Sequence, residues 1–134
     1  MIFVDTGALL ARYLGQDQYH ATATAFWNDL NKSGESCFTS NFVLDETFTL
    51  LGRRAGYDFA AQRASNIYAS RLLNILRPDQ EDEVKAVGLF QKFAEHRVSF
   101  TDCISFALMR KENIKRVFSF DSHFRWAGFE LWPR

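Results

Sequence analysis

Ile2-Phe3-Val4-Asp5-Thr6 opens the chain with an uninterrupted apolar run that stops at a carboxylate. A run this short, apolar at every position, predicts a central parallel strand buried on both faces. Its counterpart stands near the other end, where Arg116-Val117-Phe118-Ser119-Phe120 is strand-like and also stops at a carboxylate, Asp121. Two weaker runs, Cys37-Phe38-Thr39 and Asn74-Ile75-Leu76, predict further strands, and Phe129-Glu130-Leu131 a last one. Between them helices are predicted over Ala8–Leu14 and His20–Lys32, then from Ser40 or Asn41 to the Gly52–Gly56 region. Three more are predicted, from Asp58 into the Leu72 region, from Gln80 to His96, and over Thr101–Lys111. Strands alternating with helices imply an α/β fold, a parallel sheet covered by helices on both faces.

The length of 134 residues fits one domain, and 47% hydrophobic with 16% aromatic residues is enough to give it a bulky core. Two prolines and seven glycines leave no composition for a disordered linker. Sixteen basic residues balance sixteen acidic ones, which argues against a simple basic nucleic-acid-binding module. An enzyme that concentrates its acids in one place is not excluded. Cys37 and Cys103 are too isolated for a zinc site or a disulfide framework, so a reduced, cytoplasmic protein is expected. No secretory signal is read at the N-terminus, and no stretch approaches the roughly 18 apolar residues that span a bilayer. No membrane partner is expected.

In an open parallel sheet ligands bind beyond the carboxyl ends of the strands, where Asp5 and Asp121 are expected. Asp102 opens an apolar helix after Ser99-Phe100-Thr101, and Glu46 lies early in the helix that starts near Ser40. Each has an ordinary reading taken singly: Asp5 as a cap, Asp121 as a turn residue, Asp102 as a macrodipole partner, Glu46 as a solvated helix residue. Four such acids in one small α/β domain suggest a shared pocket. Converging carboxylates repel unless a cation neutralises them, and an oxygen-rich set selects Mg²⁺ or Mn²⁺. Such a metal lowers the pKa of a bound water and clamps phosphodiester oxygens, which predicts a metal-dependent phosphodiester hydrolase.

These residues resemble the motifs of PIN-domain ribonucleases, most closely the short VapC-type toxins of toxin–antitoxin pairs. Phe3-Val4-Asp5-Thr6, with Asp17 and His20-Ala21, is similar to the first motif, and Ser40-Asn41-Phe42-Val43-Leu44-Asp45-Glu46 to the second. Ser99-Phe100-Thr101-Asp102 is similar to the third. Phe118-Ser119-Phe120-Asp121-Ser122-His123-Phe124, then Gly128 and Pro133, resembles the fourth and its ending. The resemblance spans nearly the whole chain and implies a three-layer α/β/α sandwich around about five parallel strands. It implies an endoribonuclease dependent on Mg²⁺ or Mn²⁺, with Asp5, Asp102 and Asp121 holding the metal and Glu46 completing the acidic pocket. Thr6, Ser40 and Ser119 are the hydroxyls it places in support of those acids. Asp45 departs from the family pattern, and adjacent helical residues point about 100° apart, so Asp45 and Glu46 cannot both face the pocket equally. An antitoxin protein and a second copy in a homodimer are the partners the resemblance implies.

Arg53, Arg54 and Arg63, followed by Arg71 and Arg77, suggest an RNA-backbone track beside the acids, against a plain solvated face. Arg110, Lys111, Lys115 and Arg116 form a second basic group, expected at the far end of the sheet. His20, His96 and His123 lack metal-ligand spacing, and none is read as a ligand. Trp27, Phe48 and Tyr57 are candidates for an exposed apolar groove. The competing readings are a PIN-like module that binds RNA or protein without cutting, and a phosphoacceptor receiver domain. The receiver is disfavoured because Asp5 has no acidic neighbour.

Overall fold

The computed structural model describes residues 1–134. Five parallel strands, β1 (Ile2–Val4), β2 (Cys37–Ser40), β3 (Leu73–Leu76), β4 (Arg116–Phe118) and β5 (Glu130–Trp132), form one sheet in the order β3-β2-β1-β4-β5. The chain fills the sheet outward from β1 on one side and returns to the other through β4. Right-handed crossovers then put α1 (Thr6–Tyr13), α2 (His20–Ser33), α3 (Asn41–Ala55) and α4 (Tyr57–Ala69) on one face. The connection from β3 to β4 places α5 (Gln80–Lys92) and α6 (Phe100–Lys111) on the other. The three layers read from the sequence are present.

Ile2, Phe3 and Val4 are fully buried, as a strand covered on both faces requires. Phe118 of β4 meets Phe26 edge-on at 4.8 Å and Trp27 at 5.3 Å on the α2 side. Phe106 of α6 packs edge-on against Phe124 at 5.0 Å. Fully burying each such ring is worth about 1.5–3 kcal/mol, so these aromatics fix how the layers sit. Trp27 belongs to this core at 3% exposure, which corrects its reading as part of an exposed groove; Phe48 is half-buried, and only Tyr57 is exposed. No helix is long and apolar enough to cross a membrane.

Two boundaries differ from the sequence reading in ways that bear on the site. β4 stops at Phe118, so Ser119, Phe120 and Asp121 form a loop beyond the strand. A short helix, α7 (His123–Trp126), follows where none is predicted. In addition, Gly52 lies inside α3, not at its end, and the Tyr57 ring of α4 rests where a Cβ on it would stand.

Candidate active site

β1 and β4 are neighbours whose onward connections run to opposite sides of the sheet, so a crevice opens where the order reverses. Val4 pairs with Phe118, and the Asp5 backbone N–H donates to the Phe118 carbonyl at 3.0 Å. Asp5 and the loop after β4 are thereby fixed side by side. Ser119 links them: its hydroxyl donates to Asp5 Oδ2 at 2.8 Å and accepts from the Asp121 backbone N–H at 3.0 Å. Asp5 occupies the N-cap position of α1, yet its side chain makes no capping bond and its buried Oδ1 has no partner.

Asp102 is delivered from the opposite face. Ser99 caps α6 by accepting the Asp102 backbone N–H at 3.1 Å, which places the Asp102 carboxylate in the first turn of a deeply buried helix. Asp121 is half-buried, and its Oδ1 accepts the His123 backbone N–H at 2.9 Å, the turn bond of the ordinary reading. Glu46 reaches the site from α3, whose start is fixed by the Ser40 hydroxyl accepting the Val43 N–H at 3.1 Å. Glu46 lines the cavity while Asp45 is exposed, so helix geometry selects the second of the two adjacent acids.

The resulting cavity, about 490 Å³, is lined by Asp5, Thr6, Glu46, Ser99, Asp102 and Asp121, with Arg54 and Arg97 also on its wall. Of the five arginines read as an RNA track, only Arg54 lines this cavity. Arg53 is exposed, and Arg63 stands in a separate pocket with Arg12, Tyr13 and Trp27. Ser40 does not line the cavity; its hydroxyl acts on the helix that carries Glu46. Thr6 does line it, with a buried hydroxyl that has no partner.

Sequence reasoning missed His123. Its Nδ1 lies 3.2 Å from Asp121 Oδ1 and 3.7 Å from Asp102 Oδ2. The signal was local: a turn closed by Asp121 on the residue two positions later brings that residue back beside it. His20 instead packs on the last turn of α1, its Nδ1 2.8 Å from the Ala11 carbonyl oxygen. Three members of the second basic group are internally engaged: Arg116 pairs with Glu35, Lys111 with Asp79 and Asp82, and Arg110 donates to the Ala127 carbonyl, while Lys115 is exposed.

The electrostatics of these carboxylates favour a cation. Burial pushes the Asp5 carboxyl up to about 7, helped by the charges of Asp121 and Glu46 and opposed by the Ser119 hydroxyl and Thr6 N–H. Burial pushes Asp102 up to about 9, and Asp5, Asp121 and Glu46 add to the rise. Asp102, Asp121 and His123 each present a ligand atom within 4.8 Å of one another. An unpartnered buried oxygen on Asp5 and a predominance of oxygen donors fit a hard divalent cation.

A family model described as PIN domain matches residues 2–130. The 23S rRNA-specific endonuclease VapC20 of Mycobacterium tuberculosis is 38% identical over 129 residues, which cover 96% of this chain and 95% of that one. Its crystal structure, described as that of a Sarcin-Ricin loop cleaving toxin, superposes with a TM-score of 0.87 at 36% identity, covering 96% of each chain. A VapC ribonuclease of Archaeoglobus fulgidus is 31% identical over 123 residues, 90% of this chain and 77% of that one. The VapBC2 structure from Rickettsia felis shares the fold with a TM-score of 0.71 at 15% identity, covering 98% of this chain and 97% of that one.

Proposed function

The chain belongs to the PIN-domain family, and from that premise we propose that it is a metal-dependent endoribonuclease, the toxin of a toxin–antitoxin pair. One observation carries the reading: Asp5, Glu46, Asp102 and Asp121 line a single cavity at the carboxyl end of the sheet. The non-cutting alternative leaves two buried, mutually repelling carboxylates without a use.

Asp5, Asp102 and Asp121 are the residues that would hold Mg²⁺ or Mn²⁺. Such an ion supplies charge neutralisation, a water of lowered pKa and polarisation of the phosphate. The chain's own residues supply position. Ser119 keeps Asp5 Oδ2 engaged and leaves Oδ1 free, and the same hydroxyl ties the Asp121 backbone to it. Glu46 orients the attacking water by accepting its hydrogen bond. Arg54 and Arg97 line the same cavity and draw the RNA backbone toward it, with Arg53 exposed beside Arg54, while Arg63 on α4 stands apart in its own pocket.

The substrate this reading favours is 23S rRNA, in the loop named for the M. tuberculosis relative. An antitoxin protein and a second copy of the chain are its partners, and Val84, Val87 and Phe90 on α5 leave exposed apolar area for one of them. Mapping RNA 5′ ends after incubating intact bacterial ribosomes with the protein and Mg²⁺ or Mn²⁺ tests the substrate. One new end within that loop is expected. Intact 23S rRNA beside cleavage of another RNA would contradict the substrate assignment.

A further inference from the structure

Trp126 leaves 52% of its surface in water beside the acidic cavity. It lies on α7, three residues past His123, which lines that cavity, and their ring centroids are 5.1 Å apart at 49°. On another side stands His96, at 4.5 Å and 53°. Neither imidazole is parallel to the indole, so neither covers it by face-to-face stacking. An indole held this way adds little to the core and presents a flat apolar surface at the mouth of a phosphodiester site.

The surroundings add charge of the sign RNA requires. Arg97 follows His96, lines the cavity and makes no salt bridge; Arg125, next to Trp126, is exposed and makes none. Arg97 also holds a left-handed backbone, φ 55°, a conformation that a side chain bearing a Cβ rarely adopts. A planar aromatic face with unpaired guanidinium groups beside it suits an unstacked nucleobase and its phosphate.

We propose that Trp126 is a stacking subsite for an unpaired nucleobase next to the cut phosphodiester, with Arg97 on a neighbouring phosphate. The assignment rests on the ribonuclease reading above. Every base has a π-face, so this subsite requires an extruded base and does not by itself read which base it is.

The test is a binding cycle in chelator, so that no cutting intervenes. A fluorescently labelled stem-loop RNA is compared with copies carrying an abasic residue at successive loop positions, on the parent chain, Trp126→Ala and Trp126→Phe. At one position the abasic RNA binds the parent about tenfold more weakly. Trp126→Ala loses a similar factor with intact RNA and nothing further with the abasic one, and Trp126→Phe recovers most of the loss. Independent losses from the two changes, or no loss in Trp126→Ala, overturns the proposal. So does weakened self-association in Trp126→Ala with RNA affinity unchanged, which would make the indole a protein contact. Cleavage by the parent chain with added metal is scored separately: base-dependent binding without cutting defeats the ribonuclease reading and leaves the stacking subsite standing.

Discussion

Asp5 and Asp102 line the acidic cavity, and each is buried in a place that does not stabilise its charge. An N-cap aspartate ordinarily uses its carboxylate to bind the first turn of its helix; Asp5 occupies that position and leaves the turn unbound. At Asp102 the Ser99 hydroxyl already serves the backbone N–H, so the carboxylate is free for the cavity. Asp45 and Glu46 show what a sequence alone left open and backbone geometry decides. We expect Glu46→Gln to lower the rate of RNA cleavage at least tenfold, and Asp45→Asn to stay within about twofold of the parent. Equal losses in both variants would mean that the exposed acid also acts.

At the level of elements, much of the fold was legible because apolar runs ending at Asp5 and near Asp121 had only one good use, in the middle of a covered sheet. The helices were legible from their apolar spacing and caps, with Ser40 and Ser99 both serving as N-caps. Less legible was the stretch after β4. Ser119 and Phe120 continue a strand-like composition, but the Ser119 side chain binds Asp5 and the Asp121 N–H and turns the chain out of the sheet. That departure produces α7 and brings His123 and Trp126 to the site, a consequence of tertiary hydrogen bonding that no local period encodes. The Ser40 cap acts on α3 without lining the cavity, so Ser40→Ala should lower Tm by about 4 °C while the folded enzyme keeps its metal affinity. Unchanged Tm would show that packing alone holds the start of α3.

For the whole molecule, the balance of sixteen basic and sixteen acidic residues hides an uneven placement. Five acids, Asp17 among them, share one cavity with two arginines that make no salt bridge, while several cations of the other basic group are tied to acids or to the backbone. The clustering has a signed consequence for stability. Asp5 and Asp102 bind protons more tightly folded, at about 7 and about 9, than unfolded, where the ordinary value is 3.8. Between those values the folded state holds more protons, so their contribution is full below about pH 4 and lost as pH rises toward 9. In chelator, Tm of the parent should therefore fall from pH 5 to pH 9 more steeply than that of the Asp5→Asn, Asp102→Asn double variant. The double variant should be the more stable at pH 8, and added Mn²⁺ should raise the Tm of the parent only. Superimposable profiles would show that these acids are not strained.

The most direct measurement is the cleavage of RNA by purified protein, with Mg²⁺ or Mn²⁺ and with excess chelator, for the parent, Asp5→Asn and Asp102→Asn. The parent should cut only with metal, and each variant should lose at least about a hundredfold in rate while remaining folded. Cutting that survives chelator, or that proceeds equally in all three proteins, would contradict the assignment of the acidic cavity as the active site.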